Sequence, residues 1–412
     1  MNIYAILIPS ILLFGYLLEL VTETLNVKAA SPTLPEEFKE YYDDAKYAKN
    51  QSYLKVNTKL SVVISSLDIT ILLTLIYTGT FNLIDNFLRS FGYGQIITAI
   101  SFGVVLLVAS KIIHLPFSIY DTFVIEQRYG FNRTTPKVFI LDLIRGLVLS
   151  IILGGAAIAV IIWFFDYFGK SGWLYIWAIL TIFGLFLTFI APVVFMPMFN
   201  KFIPLEEGDL RSKIEHYAKE QNFKLKGIYK MDGSKRSTKA NAFFTGFGKF
   251  KRIVLFDTLI EKLSEEQILA VLAHEMGHFK LKHVIKGMVI SVINSGFMLF
   301  IFSLFLNNEG LISAFGFENV SIYAGLLAFG ILFSPISLIT STFGVYLSRK
   351  YEYQADKFTI ETRKNSKHLI DGLKKLTADS LSNLTPHPLK VFLEYSHPPI
   401  LKRIKAMAAT KK

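Results

Sequence analysis

Seven stretches of about 20 residues run almost free of charge, near 3–21, 60–82, 95–117, 143–165, 173–196, 284–306 and 321–347. Each is long enough, as a helix, to cross a hydrocarbon core of about 30 Å. The segment 198–283 has a different pattern. Its residues 239–256 read as a hairpin, with Phe243, Phe244, Phe247 and Phe250 before Lys251-Arg252-Ile253-Val254-Leu255-Phe256 and with Gly246 and Gly248 at the turn. The pattern predicts a mainly α, polytopic membrane protein with seven transmembrane helices and a soluble α+β insert. Two regions follow: 1–197 with five spans, and 198–412 with the insert, spans six and seven and a helical tail. Helix breaks are expected at Pro32 and Pro35 in the first loop and a kink at Pro335 in the last span.

Composition agrees with this reading. Hydrophobic residues make up 52% and the mean hydropathy is +0.43, which is unlike a soluble domain. The first stretch lacks a basic leader and a small-residue cleavage site, so it reads as a retained anchor. Charge then sets orientation. The loops 22–59, 118–142 and 197–283 and the tail 348–412 are rich in Lys and Arg, whereas 83–94, 166–172 and 307–320 carry only Arg89, Lys170 and none. The positive-inside rule puts the N-terminus outside or in a lumen and the C-terminus in the cytosol, as seven crossings require. The net charge of +12 is spread over membrane-flanking loops, which suits anionic lipid and argues against nucleic acid as the partner. With no cysteine there are no disulfides and no thiolate ligands.

The chemistry concentrates at 274–278, His-Glu-Met-Gly-His. Histidines four apart share one helix face and can reach a single zinc ion at about 2.0–2.1 Å. Glu275 then stands beside the metal, able to take a proton from zinc-bound water. Ser264-Glu265-Glu266-Gln267 forms a capping box that starts the helix, and Ile268, Leu269, Val271 and Leu272 give it an apolar face. Gly277 either admits a close neighbour or is merely tolerated. His283, five residues past His278, is expected off the metal face, at the surface or the membrane boundary.

A catalytic zinc takes three protein ligands and keeps one open position. Without cysteine the third must be His, Glu or Asp. Glu352 and Asp356, four apart just after the last span, are the best candidates. Glu352 would bind the metal, and Asp356, one turn on, would accept the free N–H of a ligating histidine. One carboxylate ligand leaves the site with a net positive charge, which favours a lowered pKa for bound water. Read alone, the pair is otherwise two solvated carboxylates on a charged helix. Asp68, on one face with Ser61 and Ser65 inside the second stretch, should look into water or into another helix.

These motifs resemble the type I CAAX prenyl endopeptidases, membrane zinc proteases of the gluzincin class. The match extends to Arg128-Tyr129-Gly130-Phe131-Asn132-Arg133-Thr134-Thr135, to Asn241-Ala242-Phe243-Phe244-Thr245-Gly246, and to His397-Pro398-Pro399 followed by Arg403. The resemblance implies seven helices around a large aqueous chamber and a peptide or protein substrate. It implies that Asn241 and Ala242 bind substrate through an edge strand, and that His397 and Arg403 stabilise the oxyanion. Location would be the endoplasmic reticulum in a eukaryote or the inner membrane in a bacterium. Two rival readings remain open. One is a quality-control protease acting on unprenylated membrane proteins. The other is a transporter or channel with structural zinc.

Overall fold

The computed structural model describes residues 2–246 and 251–410, and the chain is mainly helical. Among the described residues five helical runs are long and apolar enough to cross a membrane: Tyr4–Ala29, Asp44–Tyr77, Gln95–Tyr129, Pro136–Phe199 and His283–Leu304. A sixth candidate is the pair Ile322–Leu332 and Ser334–Arg363, bent by 57°. Pro335 occupies the start of the second member, where its missing N–H leaves no ladder bond unmade. The run Pro136–Phe199 is not one rod. It turns at Gly169 (φ +53) into Pro136–Phe168 and Gly172–Ile190, which pack against each other. The turn needs a second glycine, because a Cβ on Gly172 would sit 2.6 Å from the carbonyl oxygen of Phe164. The sequence expectation of seven counts these two helices separately.

One apolar cluster ties the early helices to the late ones. Ile8, Phe102, Phe165, Ile176, Phe302 and Phe329 all lie buried in it. Trp177 donates to the carbonyl of Val292 at 2.8 Å and leaves no room for a side chain at Gly296. Polar contacts also join the apolar helices. Tyr16 bonds Ser66 at 2.9 Å, and Ser65 donates to Glu19. Asp68 meets His114 of a neighbouring helical run at 2.9 Å and is 48% exposed. A cavity of about 530 Å³ opens beside these groups, bounded by Glu19, Glu23, Ser61, Pro335, Leu338 and Lys390.

Between residues 202 and 256 four strands form a sheet: β1 (Phe202–Pro204), β2 (Gly227–Met231), β3 (Ala242–Thr245) and β4 (Arg252–Phe256). The order is β1-β2-β4-β3, with β2 and β4 parallel and the outer pairs antiparallel. The anticipated hairpin is thus β3 against β4, and its Phe247, Gly248 and Phe250 lie outside the described residues. β3 is an edge strand. The helix Glu265–Lys280 packs on the sheet through Ile268, Leu269, Leu272, Ala273 and Met276. Full burial of each large aliphatic side chain contributes about 1.5–3 kcal/mol, so this helix is held firmly. A third cluster joins Phe38 and Tyr47 of the first loop to Tyr129 and Phe131 and to Leu384 and Ile404 of the tail.

Candidate metal centre

Ser264 starts the helix Glu265–Lys280 with both bonds of the anticipated capping box: its hydroxyl accepts from the Gln267 amide at 3.4 Å, and Gln267 Oε1 accepts from the Ser264 amide at 3.1 Å. Nearly three turns on, His274 is buried and His278 half-buried on the same face, as 3.6 residues per turn dictates. Facing them is the helix Ser334–Arg363, which carries Glu352 and Asp356, both buried. The two helices approach closely at Gly277. A Cβ there would lie 3.1 Å from Ala355 Cα and 3.2 Å from Phe358 Cδ1, which decides for close packing over mere tolerance.

The donor atoms lie close together. His274 Nε2 and His278 Nε2 are 3.2 Å apart, His274 Nε2 lies 3.3 Å from Glu352 Oε2, and His278 Nε2 lies 3.2 Å from Glu352 Oε1. Ligands at about 2.0–2.1 Å around a tetrahedral ion are separated by about 3.3–3.4 Å, and each imidazole stands at that separation from the other and from one oxygen of the Glu352 carboxylate. Glu352 Oε2 is also buried and accepts no aligned hydrogen bond, although Arg403 Nη1 stands 3.1 Å away, so it keeps a lone pair for a metal. These three residues are the one group of metal-capable side chains among the described residues. They fit zinc.

Around these donors, each expected residue has a definite place. His274 Nδ1 lies 3.0 Å from Asp356 Oδ1. Asp356 in turn accepts two bonds from Arg403, from Nε at 2.9 Å and from Nη2 at 2.6 Å, and Arg403 Nη1 reaches Glu352 Oε2 at 3.1 Å. The guanidinium expected at an oxyanion is therefore taken up by two carboxylates. His397 is 65% exposed, with Nε2 3.4 Å from Glu352 Oε1 and Nδ1 2.9 Å from the Ser396 hydroxyl. It stands at the mouth of the site. Burial pushes the Glu275 carboxyl above its ordinary range, opposed in part by His274 and His278 and aided by Glu352. Burial alone would lower His274, but Asp356 and Glu352 carry it up to about 9. The carboxylates so placed hold a positive charge whether a proton or a metal supplies it.

Asn241 is exposed and Ala242 buried at the start of the edge strand β3. Phe244 of that strand packs 5.6 Å, centroid to centroid, from Phe279 of the metal helix. β3 thus lies alongside the helix that bears the two histidines.

Two features were missed in the sequence. The first corrects His283, which is not at the surface. It is 4% exposed, with Nδ1 3.1 Å from His278 Nδ1. Lys282 takes a left-handed conformation (φ +58), so the chain turns between two helices instead of continuing one. No residue-type signal announces this, since lysine is not among the residues that favour that region. The second is a seam. Arg133 and Thr238 donate backbone bonds to Arg236 and Phe131, both at 3.0 Å. Arg236 forks Asp142 at 2.7 and 2.9 Å, and Lys239 bonds Glu126 at 2.9 Å and Tyr53 at 3.0 Å. The 128–135 motif therefore docks onto the segment that leads into β3.

Comparison with known proteins gives one answer along the whole chain. Residues 23–201 match the profile of the CAAX prenyl protease N-terminal region, with five membrane helices, and residues 204–411 match the profile of peptidase family M48. The probable CAAX prenyl protease 1 of Schizosaccharomyces pombe is 37% identical over 385 residues, 90% of this chain and 81% of that protein. The CAAX prenyl protease 1 homolog of Arabidopsis thaliana is 41% identical over 315 residues, covering 76% of this chain and 74% of its own. The crystal structure of S. mikatae Ste24p superposes with a TM-score of 0.94 at 30% identity, covering 99% of each chain. The protein belongs to peptidase family M48, as a multi-pass membrane metalloprotease carrying the CAAX prenyl protease N-terminal region.

Proposed function

We propose that this protein is a zinc endopeptidase that processes CAAX-box proteins, removing the C-terminal tripeptide of a prenylated chain. The observation that carries the zinc reading is the convergence of His274 Nε2, His278 Nε2 and the Glu352 carboxylate, each within 3.2–3.3 Å of the next. The names of the curated relatives support the CAAX substrate. Bound zinc supplies Lewis acidity toward a peptide carbonyl and lowers the pKa of water toward neutrality. The chain's own residues do the rest. Glu275, its carboxyl raised by burial, takes the proton of the attacking water and hands it to the leaving amine. His397, exposed at the mouth, offers its N–H to the developing oxyanion. Arg403 is a positioning residue in this reading, because Asp356 holds it through two hydrogen bonds and its Nη1 faces the Glu352 carboxylate. Asn241 and Ala242 begin an edge strand to which an extended substrate adds by main-chain bonds.

The membrane arrangement belongs to the same proposal. Counting Pro136–Phe168 and Gly172–Ile190 as separate crossings and the bent pair as one gives seven. The basic loops then face the cytosol with the active site and the tail, while the N-terminus is lumenal. In a eukaryotic cell that membrane is the endoplasmic reticulum. The 530 Å³ cavity and the polar contacts of Glu19, Ser65 and Asp68 support a water-filled interior. Residues 198–412 would form the catalytic unit, seated on the N-terminal membrane helices through the seam at Arg236 and Lys239.

The test compares two substrates for the purified, zinc-loaded protein in lipid. A farnesylated CAAX peptide should be cut and its unprenylated counterpart cut poorly. Preferential cleavage of unprenylated membrane proteins would favour the quality-control alternative. No cleavage of either, with zinc retained, would leave a structural metal.

A further inference from the structure

His278 has two ring nitrogens, and only one can face a metal. Its Nε2 faces the other donors, 3.2 Å from His274 Nε2 and 3.2 Å from Glu352 Oε1. Its Nδ1 points the other way and lies 3.1 Å from His283 Nδ1. His283 is buried, with Nε2 2.9 Å from Gln354 Oε1 and its ring stacked on Tyr351 at 4.2 Å between centroids, 9° between planes. Tyr351 and Gln354 flank Glu352 on the helix Ser334–Arg363. His283 therefore touches one ligand directly and the neighbours of another.

Proton placement along this line is fixed from both ends. A metal ligand needs a lone pair on His278 Nε2, so the neutral ring must carry its proton on Nδ1. That proton needs an acceptor, and His283 Nδ1 is the atom within reach. His283 then carries its own proton on Nε2, where the Gln354 side-chain oxygen accepts it. The opposite polarity, with the Gln354 amide donating, would place a proton on His283 Nδ1 and leave His278 Nδ1 as the acceptor. His278 Nε2 would then be protonated and unable to bind metal. One polarity only is compatible with a ligand.

We infer that His283 and Gln354 form a neutral relay that fixes the tautomer and ring orientation of His278, making His283 a positioning residue for metal binding. The two ligand histidines are thus backed differently. His274 faces the carboxylate of Asp356, itself neutralised by Arg403, whereas His278 faces an uncharged imidazole. A neutral backer orients the ring without adding negative charge. Zinc with Glu352 as its one carboxylate ligand would carry one net positive charge, the condition that lowers the pKa of bound water, and a neutral ring behind His278 leaves that charge unchanged.

The inference rests on the zinc reading above, and its readout is metal affinity and not cleavage. His283→Phe keeps an aromatic ring over Tyr351 but offers no acceptor. His283→Asn retains an oxygen near the place of Nδ1. Competition with a chromophoric chelator at fixed pH should show zinc binding about 10–100-fold weaker in His283→Phe. His283→Asn should recover most of that loss. Should the phenylalanine variant fail to fold, Gln354→Leu and Gln354→Glu decide, the first weakening zinc binding and the second keeping it. Native-like zinc affinity in folded His283→Phe, or in Gln354→Leu, overturns the relay while leaving the metal site intact. A native protein that binds no zinc would instead overturn the metal reading, and the relay with it.

Discussion

Arg403 reaches back 47 residues to grip Asp356 through two parallel N–H···O bonds of 2.9 and 2.6 Å, with both side chains buried. A fork of this kind fixes the carboxylate's plane and so the direction in which Asp356 faces His274. Removing one partner leaves an unpaired buried charge. Arg403→Ala should cost about 3–5 kcal/mol of stability. Arg403→Lys keeps the charge but loses the fork, and should lose zinc affinity before it loses the fold. Thermal unfolding followed alongside zinc content checks both.

Gly277 tests the closeness of the two ligand helices. Its alanine variant places a methyl 3.1 Å from Ala355 Cα, a backbone atom that cannot swing aside. The helices must separate slightly, and the histidines move relative to Glu352. Gly277→Ala should destabilise by about 1–3 kcal/mol, as overpacking does. Zinc affinity should fall with it. Ordinary helix propensity predicts the reverse sign of about 1 kcal/mol, so a melting curve separates the two effects.

Metal loading should depend on pH with a definite sign. In the metal-free protein the His274 imidazole is held up to about 9, above the usual 6.5. It is therefore charged at neutral pH, and zinc must displace its proton. Apparent zinc affinity should rise roughly tenfold per pH unit up to about 9 and then level. The same proton stabilises the metal-free fold below about pH 6.5, and that contribution is lost as pH rises through 9. Calorimetry in buffers of different ionisation enthalpy would count the protons released.

The seam ahead of β3 should act on substrate binding and not on the metal. Lys239 bonds Glu126 and Tyr53 two residues before Asn241. Glu126→Gln removes the charge from one of these bonds, and a hydrogen bond to a charged group contributes about 1.5–3 kcal/mol. The edge strand loses part of its anchor. KM should rise ~3–10-fold with zinc content unchanged and kcat less affected. A fall in zinc content instead would mean that the seam supports the metal site directly.

Much of the site was legible because helix periodicity is local. His274 and His278, and likewise Glu352 and Asp356, share faces for reasons internal to one helix, and Ser264 and Gln267 cap as their spacing requires. What was not legible depends on tertiary geometry. Extending helix periodicity past Lys282 puts His283 on the wrong side, since the turn there has no glycine to mark it. Nothing in the order of residues pairs Arg403 with Asp356, or Arg236 with Asp142 across 94 positions. The span count has a similar cause. Hydropathy marks seven apolar stretches, but the turn between Phe168 and Gly172 is so tight that two helices run together as one apolar run.

Glu275→Gln bears most directly on the central claim, that His274, His278 and Glu352 hold zinc while Glu275 moves the proton. Bound zinc and cleavage of a farnesylated CAAX peptide would be measured on the same purified sample. The expected result is zinc at the native stoichiometry with cleavage lower by about 10²–10⁴-fold. Native-like cleavage by the zinc-loaded variant would contradict the account.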